Sequence, residues 1–225
     1  MNIYQWGGTN IGDAITKPII DHILNINSVV VKKEETNKLI GIGSVLTWAV
    51  REKDVIWGSG LIEDKILNLP SHRVIALRGE LTAKNINSDC EVFGDPGLLL
   101  PLLYNPKIEI KHEIGIVEHF IDKGLYVGDG LRINILQNWK TFVDEIKSCK
   151  KIISSSLLGI VISEAYGIES EWVKLSNKVI GNGFKFYDYL SGTNRNSFQE
   201  KFDVEQIQKN LINVLKNEFN TRNQS

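Results

Sequence analysis

Lys151-Ile-Ile-Ser-Ser-Ser-Leu-Leu-Gly-Ile-Val-Ile-Ser-Glu-Ala-Tyr-Gly167 decides how the rest of the chain is read. Ile152 and Ile153 are β-branched and apolar, as a short buried strand requires, and the three serines after them are strong helix N-cap residues. From there Leu157, Ile160, Val161 and Ala165 recur at helical spacing, and Gly167 supplies the left-handed residue that commonly ends a helix. A strand therefore runs straight into a helix. Free amides and serine hydroxyls converge at such a helix start, where hydrogen bonding and the helix dipole both favour a carboxylate or phosphate. The segment is a candidate anion site; the alternative is that Ser154, Ser155 and Ser156 only cap the helix.

The same rhythm extends outward. Asn2-Ile-Tyr-Gln-Trp6 reads as a strand, broken by residues 7–13 before Ala14, Ile15, Ile19 and Ile23 resume helical spacing; Pro18 predicts a late or irregular start to that helix. Residues 39–46, 54–60 and 73–79 each pair a short apolar run with glycines at its C-terminal end, where open α/β sheets bind ligands. A short helix over 80–85, a strand over 91–97 and an apolar stretch over 98–103 lead to a Pro-containing linker at 101–112. Beyond it, strands are predicted at 114–117, 132–136 and 172–175, and Phe142, Ile146 and Cys149 share one helix face. Residues 177–189 read as a loop rich in Gly, Lys and aromatics, and Asp203 with Gln206 forms a capping box for a last amphipathic helix. Alternating β and α segments predict parallel sheets. The fold class is α/β: two Rossmann-like halves, residues 1–106 and 107–225, with mainly parallel sheets facing a central cleft, the last helix crossing back to the first half.

Composition narrows the partners. With 225 residues the chain suits one large α/β unit or two of about 110 residues. A net charge of -1 gives no general attraction to nucleic acid or to an anionic membrane, so a charged partner is met locally. Cys90 and Cys149 stand far apart without nearby His, which suggests neither a disulfide framework nor a metal site. No apolar run approaches the roughly 18 residues of a membrane span and the N-terminus lacks a signal-peptide pattern, so the expected place is the cytoplasm.

Several side chains sit where chemistry is expected. Arg78 ends an apolar strand, where a guanidinium can hold an anion bidentately or form a structural ion pair. Lys178 and Lys185 flank glycines that would let a loop close over a ligand. Glu118 and His119 follow a strand and are candidate acid and base groups. Asp13 and Asp95 are candidates for sugar hydroxyls or base chemistry, and equally for helix capping.

Taken together, Asn10-Ile-Gly-Asp13, Gly41-Ile-Gly-Ser44, Trp57-Gly-Ser-Gly60, Arg78-Gly-Glu-Leu-Thr82, Gly94-Asp-Pro-Gly97, His119-Phe-Ile-Asp122, Ile153-Ser-Ser-Ser-Leu157 with Ala165-Tyr-Gly167, and residues 178–189 resemble the polysaccharide pyruvyltransferase family. That family is similar to two-domain GT-B glycosyltransferases and moves the enolpyruvyl unit of phosphoenolpyruvate onto a sugar, giving a pyruvate ketal on a bacterial glycan. The resemblance implies a phosphorylated donor held by Arg78, Ser155, Ser156, Lys178 and Lys185, and a saccharide or lipid-linked glycan acceptor met by Asn10 and Asp95. The candidate catalytic residues are His119, Glu118 and Asp13, with no cofactor and no metal expected, and the expected place of work is the cytoplasm or the membrane surface beside glycan-assembly enzymes. Two departures matter: Leu158 stands where the family has the histidine regarded as its general acid, and Glu118 stands where it often has proline. Leucine can deliver no proton. The alternatives are a changed phosphorylated donor, such as phosphoribosyl diphosphate or an activated sugar, and a non-catalytic glycan-binding relative.

Overall fold

A computed structural model describes residues 1–6 and 11–220, with only the backbone described for residues 12, 13 and 220. Its first half carries strands β1 (Asn2–Tyr4), β2 (Val29–Val31), β3 (Leu39–Ile40), β4 (Asp54–Trp57) and β5 (His72–Ala76). Helices α1 (Ile11–Leu24), α2 (Leu46–Ala49), α3 (Glu80–Asn85) and α4 (Leu100–Leu103) accompany them. The second half carries β6 (His112–Val117), β7 (Leu131–Arg132), α5 (Trp139–Lys147), β8 (Cys149–Ser154), α6 (Leu157–Ala165), β9 (Glu169–Trp172), α7 (Phe184–Gly192) and α8 (Val204–Asn220).

All strand pairings are parallel. The first sheet runs β2-β1-β3-β4-β5 and the second β7-β6-β8-β9, so both halves place their first strand second and reverse direction of growth there. The expected pair of Rossmann-like halves is what the chain forms. In such sheets the ligand crevice opens where the order reverses, between the C-terminal ends of β1 and β3 and of β6 and β8.

The two sheets share a core. Ile3, Ile15, Trp57 and Leu99 from the first half join Val117, Phe142, Ile146 and Ile152 from the second in one buried cluster. The position 106/107 thus separates two sheets without separating two cores. Helix α8 crosses back to the first half: Leu211 and Leu215 are fully buried, Trp57 Nε1 donates to Leu211 O at 3.0 Å, and Arg73 pairs with Glu218 at 3.0 Å.

Five local expectations need correction. The strand expected over 91–97 reduces to one bridge, Leu77 with Phe93, before the turn Pro96–Leu99. Pro18 lies inside α1, which begins at Ile11; the ring removes one backbone bond, and burial of Ile11, Ile15, Ile19 and Ile20 outweighs that loss. The strand expected at 172–175 lies at Glu169–Trp172, where Glu169 and Glu171 pair with Lys151 of β8 at 3.1 and 2.8 Å; those charged positions hide the strand from an apolar reading. The strand expected at 132–136 is only Leu131–Arg132, and the exposed edge strand β2 is additional to the sequence expectations. Finally, residues 177–189 are not all loop, because α7 starts at Phe184. Gly181 and Gly183, at φ +87° and +90°, turn the chain into it, and Phe186, Tyr189 and Leu190 are buried by that turn. A Cβ at Gly181 would lie 1.8 Å from Ile62 O, so this loop closes directly onto the first half.

Candidate functional site

The serines at the end of β8 divide their work. Ser154 Oγ lies 2.9 Å from Val117 O and 2.8 Å from Ser156 O and accepts from Ser156 N at 3.0 Å. Ser155 Oγ accepts from His119 N at 2.9 Å, tying the end of β6 to the end of β8 across the point where the strand order reverses. Ser156 is the N-cap residue of α6, yet its side chain makes no capping bond. The amides of Leu157, Leu158 and Gly159 have no hydrogen-bond partner among the described residues, the first helical bond being Ile160 N to Ser156 O at 3.4 Å. The serines therefore do not satisfy the helix start. Its amides stay free for a ligand, as a candidate anion site requires.

That helix start forms one wall of a cleft of about 180 Å³ between the halves. Arg78, Asp95, His119, Ser156 and Lys185 bring polar groups into it, and Leu158 lies among them. Its mouth is apolar: Trp6 and Trp48 meet edge to face at 5.6 Å, and Phe120, Ile121 and Ile180 are exposed around it.

Lys185 is 8% exposed, and its ammonium makes no hydrogen bond or ion pair among the described residues, lying 5.6 Å from the Phe186 ring centroid. Burial, then the Arg78 charge, lowers it from 10.5 to about 8, with Asp122 opposing. At neutral pH it is still mostly protonated, a nearly buried cation with no ion pair among the described residues and only the Asp122 charge to favour it. His119 is brought down to about 4 by burial first and the Lys185 charge second, Asp122 again opposing. Its Nδ1 accepts from Ile121 N at 3.3 Å, which assigns the proton to Nε2, and its ring lies against Phe120 at 4.5 Å. His119 is thus a neutral group at pH 7. Asp95 caps the turn Pro96–Leu99, its Oδ1 accepting from Gly97 N at 2.8 Å. Burial pushes it up to about 6 against that hydrogen bond and the Arg78 charge, with Asp188 adding to the rise.

Arg78 reaches the cleft already committed. Its Nε donates to Asp188 Oδ2 at 2.8 Å, its Nη1 to Ser44 Oγ at 2.5 Å and its Nη2 to Leu61 O at 2.6 Å. Asp188 in turn accepts from Thr82 N at 2.7 Å and Thr82 Oγ1 at 2.8 Å. The donor clamp expected of Arg78 is instead a buried ion pair that pins the end of β5 to α7, leaving its charge to bias the cleft. Gly79 permits that approach, since a Cβ there would lie 1.7 Å from Asp188 O.

Other expected residues fall elsewhere. Glu118 is outside the cleft lining and accepts from Gly124 N at 2.8 Å and Tyr126 N at 2.7 Å, so it holds the 119–126 loop. Ser155 is consumed in holding His119, as above. Lys178 is exposed and outside the cleft lining, its backbone N donating to Ser176 Oγ at 3.1 Å. Asn10 and the Asp13 side chain lie outside the described residues. In α6, Glu164, which is not among those candidates, forms a bidentate pair with Arg195 at 2.9 and 3.0 Å and accepts from Tyr189 OH at 2.7 Å, so it belongs to the packing of α6 on α7. Sequence reasoning missed Ser44, Asp122, Trp48 and Asp188, although Ser44, Asp122 and Asp188 all lie in the motifs quoted above. Among the described residues no group of three or more His, Cys, Asp or Glu is arranged to hold a metal ion, and no helix is long and apolar enough to cross a membrane.

No family model matches the chain. An uncharacterized protein of Acanthamoeba polyphaga mimivirus is 28% identical, the match covering 85% of this chain and 74% of the viral one. The crystal structure of an uncharacterized protein from Klebsiella pneumoniae subsp. pneumoniae NTUH-K2044 superimposes with a TM-score of 0.53 over 90% of each chain at 14% identity, a likeness of fold alone.

Proposed function

We propose that the chain is a transferase of the polysaccharide pyruvyltransferase type, taking phosphoenolpyruvate as donor and a saccharide, free or lipid-linked, as acceptor. The observation that carries this is Lys185: a nearly buried, mostly protonated ammonium with no ion pair among the described residues, lining the same cleft as the uncommitted start of α6. An anion bound there gains the ammonium, the Leu157 to Gly159 amides and the Ser156 hydroxyl, and it relieves the desolvation of the cation. A donor with both a carboxylate and a phosphate matches a floor that also carries the Arg78 charge. Neutral His119 offers Nε2–H as a hydrogen-bond donor, and the aromatic mouth offers faces on which a pyranose ring stacks. In this account residues 107–225 supply most of the donor site and residues 1–106 the acceptor side, and the protein works in the cytoplasm, at the membrane surface where its acceptor is lipid-linked.

Leu158 favours a second possibility, transfer from another phosphorylated donor such as an activated sugar, because displacement at a sugar carbon needs no proton delivered to an enol carbon. Thermal-shift titration separates the two. Phosphoenolpyruvate at about a hundred times its Kd should stabilise the fold by about 2.7 kcal/mol, and phosphate should be released when sugar acceptors are added. Stabilisation by nucleotide sugars or phosphoribosyl diphosphate in place of phosphoenolpyruvate would select the second donor class. Stabilisation by none of them would remove both.

A further inference from the structure

We propose that Asp95 is the proton donor of the cleft, standing in for the histidine that position 158 lacks. This rests on the pyruvyl-transfer account above. Three observations carry it. Asp95 is 3% exposed yet lines the cleft, so its carboxyl is sheltered from water and open to a ligand. Only Oδ1 is engaged, by Gly97 N; Oδ2 takes no hydrogen bond from the described residues. And Asp95 lies beside the first turn of α6, because a Cβ at Gly97 would be 3.1 Å from Asp95 Oδ1 and 3.7 Å from Leu158 Cδ1. The carboxyl and the leucine therefore flank one glycine, and both line the cleft.

The neighbouring groups leave the role to it. Glu118 is outside the cleft lining, and His119, at about 4, is already without its second proton at neutral pH. Lys185 carries a proton, but an anion seated on it holds that proton more tightly and makes it a poorer acid. The charged and titratable groups around Asp95 are Arg78, which favours its ionised form, Asp188, whose charge opposes it, and Tyr189, which burial keeps neutral. His119 and Lys185 line the same cleft. Burial dominates, so the carboxylic acid persists to about pH 6.

The step balances without an oxidant or a metal. The Asp95 proton goes to the methylene carbon of phosphoenolpyruvate, the C=C π pair forming the new C–H bond and leaving the adjacent carbon as an oxocarbenium shared with its ester oxygen. An acceptor hydroxyl adds to that carbon and returns its proton to the Asp95 carboxylate. A second hydroxyl of the same sugar then forms the ketal as the carbon–oxygen bond to phosphate breaks, phosphate leaving with the electron pair and the second hydroxyl's proton.

Asp95→Asn tests this, since asparagine keeps an oxygen for Gly97 N and loses only the acid. With phosphoenolpyruvate and a sugar acceptor, kcat should fall by about 10²–10⁴-fold while KM and the thermal shift given by phosphoenolpyruvate hold within a few fold. The wild-type kcat should decline as pH rises through about 6, and Asp95→Glu should recover part of the rate. Unchanged kcat in Asp95→Asn, or a wild-type rate that rises across that pH range, overturns the assignment while leaving the pyruvyl-transfer account intact. Loss of phosphoenolpyruvate binding in Asp95→Asn overturns it in favour of a binding role. A wild-type protein that neither binds phosphoenolpyruvate nor releases phosphate from it overturns both.

Discussion

Replacing Asp188 by alanine lowers the unfolding free energy by about 3–5 kcal/mol, the largest effect expected of a single substitution in this site. Asp188 is fully buried and accepts from Arg78 Nε, Thr82 N and Thr82 Oγ1. Its removal leaves the Arg78 guanidinium, 1% exposed, without a counter-charge, and orphans a backbone amide at the start of α3. Because the pair joins β5 to α7, the helix that carries Lys185, the variant also loses whatever anion affinity the cleft has. Denaturant unfolding reads the first effect and phosphate-dependent stabilisation the second. Pairing Asp188→Leu with Arg78→Met should recover much of the stability, since removing both charges together leaves none unpaired. A loss below about 1 kcal/mol in Asp188→Ala would show that Arg78 finds another partner.

Lys185→Met should make the ligand-free protein more stable at neutral pH and blind to phosphorylated donors. The sign follows from the direction of the shift. The fold holds Lys185 below its ordinary 10.5, at about 8, so the fold prefers the neutral amine. Its charge therefore costs stability in full below pH 8, a cost that fades between pH 8 and 10.5 and is absent above. Methionine removes that charge and keeps the chain's volume, for a gain of at most about 3 kcal/mol near pH 7 that shrinks as pH rises through that window. The same substitution deletes the cation from the anion site, so stabilisation by phosphoenolpyruvate or inorganic phosphate should disappear. A variant less stable than the parent at pH 7 and still stabilised by phosphoenolpyruvate would contradict both halves of this expectation.

The strand–helix unit at 151–167 was legible because each of its signals is local: β-branched residues, then small capping residues, then helical spacing and a terminal glycine. The parallel pairing of both sheets followed from that rhythm. What escaped was set by partners distant in sequence. Clamp and ion pair stay undecided for Arg78 in the sequence because the aspartate that neutralises it lies 110 positions away, in a segment that reads as loop. Helix α7 was hidden because its start depends on Gly181 fitting against the Ile62 carbonyl, a contact with no trace in helical propensity. Ser155 and Ser156 are alike in sequence, yet one holds the His119 amide and the other faces the cleft, a difference decided by the register of β6 with β8. Asp95 was read as a cap or an acceptor contact; it is a cap, and its burial is what makes it an acid of use near neutral pH.

In the proposed function the cleft between the two sheets holds an anionic donor at the start of α6. The most direct measurement is a crystal structure with phosphoenolpyruvate bound. The account places an anionic group of the donor within hydrogen-bond distance of Lys185 Nζ and of the Leu157, Leu158 or Gly159 amides, with the enol methylene toward Asp95. A donor seated elsewhere, with Lys185 and those amides untouched, would contradict it.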